Sequence, residues 1–599
     1  MVRPPESDRA SSRRAVITVF ILSCGLCAVS GVISMPAYAQ LPAGPAFNQP
    51  LPTPGSPIPN ILPQAPPSVA PGALLPPPSS SEGPVPAVPV RVGQVSVEGV
   101  TAFPQKEIEA FTAGLTGPAV KLSDIDAARQ AILTRYRAQG YVLTAVNAAL
   151  DGDGHLRFVI TEGRIADVKL DGDIGAAGTQ VLRFLNRLTE QTPIDAATLE
   201  RYLLLAQDVP GVTLRAVLKP STEEPGALTL IAQVSRQAVS GLFTSDNRAF
   251  NLTGPVEGLA VLDFNSFTEY GERTEVSLYR AWNNTQIFGQ AASDIFIGSS
   301  GLRLHVYAGS GNAIPTGDLR AVGYFGTTTV AGVQLSYPVI RARQQTLSLF
   351  GTFDVLESNV DTNTGTNGTA TRASYDSLRV VRLGTDYALS DLLLGDTRSA
   401  VSTATLRLSQ GISGLGSTTN GYALAARVGE QVNFFKANFD LSRTQTLFQL
   451  SDRSNVSLLT ILAGQVSPSV LPPAEQFFLG GSRITRGFYA GQVTGDNALA
   501  ATVEAQINTD FDASAFGFTA AIATQFYGFY DWGETWQNLK EDPNRRLQST
   551  GGGLRMMLTQ YTEFDVEGVA RLTRYPNGTG PNVSALNGGA FYWRVLVRF

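Results

Sequence analysis

The chain has 599 residues, of which 43% are hydrophobic and 16% are charged, and 59 of them are glycine. This composition excludes a disordered chain and an all-helical membrane protein, and the length exceeds that of a single small enzyme domain. Lys and Arg total 45 against 50 Asp and Glu, a net charge of −5, which argues against a nucleic-acid-binding protein.

Residues 1–39 have the pattern of a secretory signal peptide. A pair of arginines precedes an apolar run, and the small-x-small site Ala37-Tyr38-Ala39 follows it. An uncleaved anchor helix is the alternative interpretation. Both cysteines, Cys24 and Cys27, lie in this segment, so the mature chain is predicted to have no disulfide and no thiolate metal site. The pattern predicts a bacterial exported protein, either soluble in the periplasm or inserted in a membrane as a barrel.

Residues 40–89 are predicted to form an extended, semi-rigid periplasmic linker. The stretch from Gln40 to Val90 holds 17 of the 35 prolines, and proline fixes φ and removes a backbone donor. A docking ligand for a proline-reading domain is the alternative. The stretch has no helical periodicity, so no helix is predicted in it.

A repeat of element order follows the linker. Residues 90–163 are predicted to form a strand, two helices and two strands, and residues 164–236 repeat this order. The elements predicted for the first unit are a strand through Val95 and Val97, helices beginning at Pro104 and after Ser123, and strands over residues 141–149 and 155–161. Those predicted for the second unit are a strand from Ile165, helices over residues 180–188 and 195–207, and strands over residues 213–218 and 228–234. These are two small α+β modules, each near the size at which a single core only just suffices.

The tandem modules resemble the polypeptide-transport-associated (POTRA) domains of bacterial outer-membrane transporters. The resemblance implies that an edge of each small sheet accepts an incoming extended chain by strand addition, with main-chain hydrogen bonds giving affinity. Modules that serve as spacers are the alternative.

Residues 237–599 are predicted to form a transmembrane antiparallel β-barrel. Polar and apolar residues alternate in short segments, as where Lys436, Asn438 and Asp440 alternate with apolar neighbours. Such alternation suits a soluble sheet or a barrel with a polar lumen. Segments of about 10 residues and long uncharged connections favour the barrel, and a repeat of roughly 20 to 23 residues predicts about 16 to 18 strands, with 16 preferred. The predicted fold class is therefore mainly β.

The chain ends on an alternating strand that closes with an aromatic residue. One face of this strand carries Phe591, Trp593, Val595, Val597 and Phe599, and arginines lie on the other. The pattern resembles the signal by which bacterial barrel proteins are recognised for outer-membrane insertion, which implies that role for these five residues.

Two motifs make a more specific resemblance. The first, in residues 478–488, contains Gly480, Gly481, Arg486, Gly487 and Phe488. It is similar to the F-x-G-G…R-G-[FY] motif in the pore-folded loop of two-partner-secretion transporters of the ShlB/FhaC/HecB type. The second, in residues 529–533, contains Phe529, Asp531 and Gly533 and matches the F-x-D-x-G strand motif of that family. Further similarity lies in residues 335–341, in the pair Asp246-Asn247 and in residues 408–411.

This resemblance implies an outer-membrane pore that exports one large partner by two-partner (type V) secretion, the partner being an adhesin- or haemolysin-like exoprotein with an N-terminal secretion domain. It also implies a loop near residues 475–497 folded into the pore, where the fork of Arg486 pairs with Asp531 and contributes to gating. An extracellular glycine-rich loop with an incidental arginine is the alternative. Members often carry a pore-plugging helix at the mature N-terminus, and the proline-rich stretch departs from that pattern.

The implied location is the bacterial outer membrane, with the modules in the periplasm. Implied partners besides the exported client are outer-membrane lipid, lipopolysaccharide and the barrel-assembly machinery that inserts the chain; no nucleic acid is expected. No enzymatic activity, metal site or cofactor is predicted, since neither the two histidines nor the turn at residues 151–154 has catalytic or calcium-ligand spacing. The alternative functions are an assembly factor for other outer-membrane proteins and, as a weaker candidate, a passive porin.

Overall fold

The structure, a computed structural model, describes residues 56–61, 69–70, 87–363, 368–511, 522–579 and 583–599. The predicted signal peptide lies outside these residues, as does most of the predicted linker. In chain order the described residues form a one-turn helix α1 (Ile58–Ile61), two small α+β modules and a closed barrel.

The first module packs two helices on a three-stranded sheet. Its elements are β1 (Pro89–Val92), β2 (Gln94–Glu98), α2 (Gln105–Glu109), β3 (Gly117–Lys121), α3 (Leu122–Ala138), β4 (Ala145–Leu150) and β5 (His155–Thr161). The sheet order is β2-β5-β4, and β1 pairs separately with β3. Leu156 and Phe158 alternate along β5 and bury their side chains against Ile132 and Tyr136, which lie one turn apart on α3.

The elements of this module differ in detail from the predicted ones. The alternation pattern does not predict the β1–β3 pair, because each strand contains a proline, Pro89 or Pro118. The helix predicted to begin after Ser123 begins at Leu122, one residue before Ser123, and the Ser123 hydroxyl donates to the carboxylate of the neighbouring Asp124 instead of capping the helix. The strand predicted from residue 141 begins at Ala145, because a turn precedes it.

Glu162 closes the first module at its junction with the second. Its carboxylate accepts hydrogen bonds from the N–H of Thr101 at 2.9 Å, the N–H of Ala102 at 3.0 Å and the hydroxyl of Tyr136 at 2.6 Å. Partial burial acts to raise the pKa of Glu162, but these hydrogen bonds, led by those from Thr101, outweigh it and lower the pKa. The carboxylate therefore stays ionised and holds the strand end against α3.

The second module has the predicted order of strand, helix, helix, strand and strand, and its described residues form no counterpart of the β1–β3 pair. Its elements are β6 (Arg164–Asp171), α4 (Ala177–Leu185), α5 (Ala196–Gln207), β7 (Val212–Pro220) and β8 (Ala227–Arg236), with sheet order β6-β8-β7. Asp195 caps α5, since its carboxylate accepts the N–H of Thr198 at 2.8 Å. No helix among the described residues is long and apolar enough to cross a membrane.

The remaining chain forms a closed antiparallel barrel of 16 strands, which confirms the predicted fold class and strand number. The barrel strands are β9 (Val239–Asp246), β10 (Glu257–Asn265), β11 (Arg273–Ala281), β12 (Gln286–Ile297), β13 (Leu302–Ala313), β14 (Phe325–Arg341), β15 (Gln345–Thr362), β16 (Thr371–Asp391), β17 (Ala400–Gly411), β18 (Phe435–Ser451), β19 (Ser454–Val466), β22 (Asn497–Phe511), β23 (Ile522–Trp536), β24 (Arg545–Thr559), β25 (Thr562–Arg571) and β26 (Gly589–Arg598). Two short strands, β20 (Phe477–Leu479) and β21 (Val493–Gly495), pair with each other inside one loop, and a one-turn helix, α6 (Asp318–Ala321), precedes β14. The barrel strands have 8 to 21 residues, so the predicted length near ten is too short for the longest.

The two faces of the barrel wall differ as a membrane pore requires. On β11, Val276 and Leu278 are half exposed on the outside, whereas Ser277 and Tyr279, at the alternate positions, point inward and are buried. The Tyr279 hydroxyl donates to Glu257 at 2.6 Å inside the barrel. Apolar side chains thus face lipid, and polar side chains meet in the lumen.

The second module is docked on the turns at one end of the barrel. Arg341 donates through Nε and Nη2 to the two carboxylate oxygens of Asp208, at 2.8 and 2.7 Å. Arg201 donates to the carbonyl of Pro338 at 2.8 Å, and the Phe184 and Phe296 rings pack edge to face with centroids 5.1 Å apart. This end is the periplasmic end, and the longer loops of the barrel lie at the opposite, extracellular end.

The sequence predicts no helix in the linker, and this prediction is wrong at residues 58–61. The side chains of Ile58 and Ile61 in α1 are almost fully buried against Leu259, Tyr279 and other inward-facing residues of the barrel. Farther along the chain, the N–H of Ala70 donates to the carbonyl of Arg343, in a periplasmic turn, at 2.7 Å. Two isoleucines three residues apart are too short a signal for helical periodicity, and the tertiary contacts fix this single turn.

Candidate functional site: a loop folded into the barrel

The chain between β19 and β22, residues 467–496, folds back into the lumen and is called the folded loop below. The pair β20–β21 forms its stem, and residues 480–492 form its tip. The first motif lies at this tip, and its partner motif lies on β23, in the wall that the tip touches. The structure therefore brings the two predicted motifs together.

Arg486 and Asp531 make the central contact. Nε and Nη2 of Arg486 each lie 3.1 Å from a carboxylate oxygen of Asp531, and the Arg486 N–H donates to the same carboxylate at 2.7 Å. Both residues are buried, at 3% and 0% exposure. Three hydrogen bonds to one carboxylate fix the position of the backbone as well as that of the side chain.

Two further carboxylates surround this arginine, and the sequence analysis does not single them out. Glu504 on β22 bonds Nη1 of Arg486 directly, and Glu567 on β25 lies 3.9 Å from the same atom. Arg248, which follows Asp246 and Asn247 in the loop after β9, donates to Glu567 at 2.7 Å and to the Arg486 carbonyl at 2.8 Å. Glu504 and Glu567 each lie on a strand in which polar and apolar residues alternate. This alternation predicts that both side chains face the lumen, but it does not give the register between the strands.

The ring of Phe529 packs against one face of the Arg486 guanidinium. The Cζ atom of Arg486 lies 3.7 Å from the centre of the Phe529 ring, a cation–π contact. The ring lies over Gly551 of β24, where an added Cβ would stand 2.9 Å from the ring. The aromatic residue of the F-x-D motif thus packs against the Arg486 guanidinium, and this position of its ring requires a glycine on the next strand.

The motif glycines permit close approach. A Cβ at Gly487 would lie 2.5 Å from the Ser549 side chain, and one at Gly533 would lie 2.8 Å from Leu479 of the folded loop. Gly480 and Gly481 have φ of +107° and +111°, a left-handed conformation that bends the chain into the tip. Phe488 is fully buried beside Leu479 in an apolar cluster at the tip.

Charged pairs also hold the loop at other points. Glu475, at the start of the stem, binds Arg382 of β16 through Nη2 at 2.6 Å and Lys436 of β18 through Nζ at 2.7 Å. Arg483, at the tip, pairs with Asp440 of β18. These pairs and those of Arg486 join the loop to β16, β18, β22 and β23, so the loop is fixed inside the lumen along one half of the barrel wall.

The final strand closes the barrel against the first. Phe591 in β26 and Phe599, which directly follows β26, are exposed on the outer face, at 63% and 57%, and Trp593, Val595 and Val597 occupy the alternate positions between them. Phe599 exchanges main-chain hydrogen bonds with Gly241 of β9. Asn247 extends this pairing with its side chain, which donates to the carbonyl of Phe591 at 3.0 Å and accepts the N–H of Trp593 at 2.9 Å.

The site is built from charged and hydrogen-bonding side chains. It consists of ion pairs, hydrogen bonds and a buried arginine, and among the described residues no group of three or more His, Cys, Asp or Glu side chains is placed to hold a metal ion. Buried pairs of this kind fix one geometry and become costly when one partner is lost.

Comparisons with known proteins agree with this geometry. Residues 90–163 match the family described as POTRA domain, ShlB-type, and residues 297–556 match the family described as haemolysin secretion/activation protein ShlB/FhaC/HecB. No curated protein sequence matches the chain.

Two solved structures are similar in fold. CdiB from Escherichia coli superposes with a TM-score of 0.66 at 18% identity, covering 89% of this chain and 94% of that protein. CdiB from Acinetobacter baumannii gives a TM-score of 0.58 at 16% identity, covering 98% and 97%. At these identities the similarity establishes the fold.

Proposed function

We infer that this chain, which belongs to the haemolysin secretion/activation family ShlB/FhaC/HecB and is an outer-membrane transporter of two-partner secretion, exports one large secreted protein that carries an N-terminal secretion domain. The modules stand in the periplasm and the barrel crosses the outer membrane. The client is an adhesin- or haemolysin-like exoprotein that enters from the module side and leaves between the extracellular loops.

The observation that carries this proposal is the folded loop held across the lumen by Arg486. A passive porin needs an open aqueous channel, whereas here the lumen contains a loop bonded to β16, β18, β22 and β23. A loop tied by several separate ion pairs can be displaced in steps by a client chain that offers its own polar groups. We therefore assign the contact between Arg486 and Asp531 to gating.

The modules are proposed to receive the client before it reaches the pore. Strands β2 and β4 lie at the edges of the first sheet, and β6 and β7 lie at the edges of the second. An extended client can add to such an edge through main-chain hydrogen bonds with little demand on its sequence. The docking of Asp208 on Arg341 places the second module beside the barrel entrance.

Three further partners belong to the same proposal. The outward faces of the strands contact outer-membrane lipid, and the extracellular rim contacts lipopolysaccharide. The face of β26 that carries Phe591, Trp593, Val595, Val597 and Phe599 is the signal read by the barrel-assembly machinery when the chain is inserted.

The test compares the secreted proteome and the outer-membrane proteome of cells with and without this chain. We expect one large protein to disappear from the medium while other barrel proteins keep their levels. A general fall in barrel proteins would instead identify an assembly factor. No change in either fraction would favour a solute channel.

A further inference from the structure

A second buried arginine cluster lies at the base of the folded loop, away from its tip. Arg427, in the β17–β18 loop (residues 412–434), is 1% exposed and is among the largest fully buried side chains of the described residues. It donates from Nη1 to Asp496 at 2.5 Å and to the Leu471 carbonyl at 3.0 Å. It also donates from Nη2 to Asp542 at 2.8 Å and to Gln537 at 3.0 Å.

The partners of Arg427 come from two other extracellular loops. Leu471 and Asp496 lie at the two ends of the folded loop, and Gln537 and Asp542 lie in the β23–β24 loop (residues 537–544). Asn538 strengthens the junction, because its N–H donates to Asp496 at 2.8 Å and its side-chain amide donates to the Ser469 carbonyl at 2.6 Å. One guanidinium thus joins three loops that are otherwise separate in the chain.

An apolar cluster next to Arg427 lies among the extracellular loops. It brings together side chains of four loops, namely Phe250 and Leu252 of the β9–β10 loop, Leu319 and Tyr324 of the β13–β14 loop, Ala426 of the β17–β18 loop and Phe478 of the folded loop. The first of these loops joins the first and second barrel strands, and the β17–β18 loop joins the ninth and tenth, which is halfway around the barrel. Ala426 directly precedes Arg427, so the ion pairs of Arg427 also fix the position of Ala426 in this cluster.

We propose that Arg427 is a positioning residue that latches the extracellular mouth, and that a client leaves the pore only after Arg427 releases Asp496 or Asp542. This inference rests on the proposed export function. It is separate from the gate at the tip of the loop, because the hydrogen bonds and ion pairs of Arg427 share no residue with those of Arg486. The tip contact blocks the lumen, and the Arg427 contact keeps the loops together above it.

The test uses the purified full-length protein in planar lipid bilayers, without a client. Arg427→Ala should raise the ratio of open to closed time at least about tenfold, because Asp496 and Asp542 then lose their shared cation. The matched control is Arg546→Ala, which removes an arginine that lies at the same end of the barrel, pairs with Glu534 and has a side chain that is 57% exposed. Unchanged heat-modifiable mobility on gels shows that each barrel is folded. A folded Arg427→Ala variant with wild-type gating, or an equal effect of Arg546→Ala, would overturn the proposal.

A disulfide tests whether loop separation is the cause. The N–H of Gln431 donates to the Val470 carbonyl at 2.9 Å, so these positions join the β17–β18 loop to the base of the folded loop. The pair Gln431→Cys and Val470→Cys is added to Arg427→Ala. Oxidation should restore closed-state gating, and reduction should reopen the pore. Gating that stays open although mass spectrometry finds the disulfide formed would contradict the latch.

These experiments separate the latch from the export function. Gating in bilayers depends on the loops alone, whereas the proteome comparison depends on the client. A latch that behaves as expected in a protein whose loss changes no secreted protein would overturn the export function and leave the mouth closure standing.

Discussion

The guanidinium of Arg486 lies 3.7 Å above the ring of Phe529 while it bonds Asp531, two residues farther along the same strand. Residues two apart on a strand point to the same side, so one strand supplies both a cation–π surface and a carboxylate to one arginine. This spacing explains why the F-x-D pattern acts as a unit with the R-G-F tip. The Asp531 carboxylate binds the edge of the guanidinium, and the Phe529 ring packs against its face.

Arg486→Ala should keep outer-membrane insertion and lose export. The substitution leaves Asp531, Glu504 and Glu567 without their shared cation in a buried site, which destabilises the folded loop by about 3 to 5 kcal/mol. The measurement is the amount of client in the medium, together with heat-modifiable mobility of the barrel. Arg486→Lys should recover part of the export, since an ammonium keeps the charge but cannot bond both oxygens of Asp531 in the same way. Full export by the alanine variant would refute the gating assignment.

Gly551→Ala should loosen the same contact without changing any charge. A Cβ there would stand 2.9 Å from the Phe529 ring and 2.4 Å from the Gly568 carbonyl, so the ring must move away from Arg486. We expect more frequent opening in bilayers than in the wild type. Gly568→Ala on the adjacent strand is the control, because its Cβ would meet nothing within 4 Å. Equal behaviour of the two variants would mean that the position of Phe529 does not affect gating.

The sequence predicts the pieces of this site but not their full assembly. Alternation and the terminal aromatic strand identify the barrel, and the two motifs identify Arg486 and Asp531, because these signals are local in sequence. Strand register brings Glu504 and Glu567 to this site, and a long-range loop contact brings Arg248. Neither can be predicted from a single sequence. Arg427 is missed for the same reason, since the partners of its guanidinium lie 44 to 115 residues away. The α1 turn is missed because four residues give no period to detect.

Asp208→Asn should loosen the second module from the barrel. The substitution keeps the shape of the side chain but removes the carboxylate that Arg341 binds through two nitrogens, a loss of about 1.5 to 3 kcal/mol. Faster hydrogen exchange in α5 and in the turn at residues 342–344 is the expected signal, with reduced export. Asp171→Asn, on an exposed strand of the same module, serves as the control and should exchange as the wild type does. Unchanged exchange in Asp208→Asn would show that other contacts, such as those of Arg201, hold the module alone.

The pH should control the β17–β18 loop through Glu430. This carboxyl group is buried, and burial first and the neighbouring Asp376 second raise its pKa above the ordinary value of 4.5, although Arg427 and its N–H act in the opposite direction. The docked loop therefore binds a proton that the undocked loop releases above pH 4.5. By linkage, docking is strongest below this value and weakens as the pH rises toward the raised pKa. We expect opening in bilayers to increase from about pH 5 to about pH 9. Glu430→Gln, which stays neutral, should remain closed and nearly independent of pH in this range. A variant that keeps the wild-type pH dependence would exclude Glu430 as the titrating group.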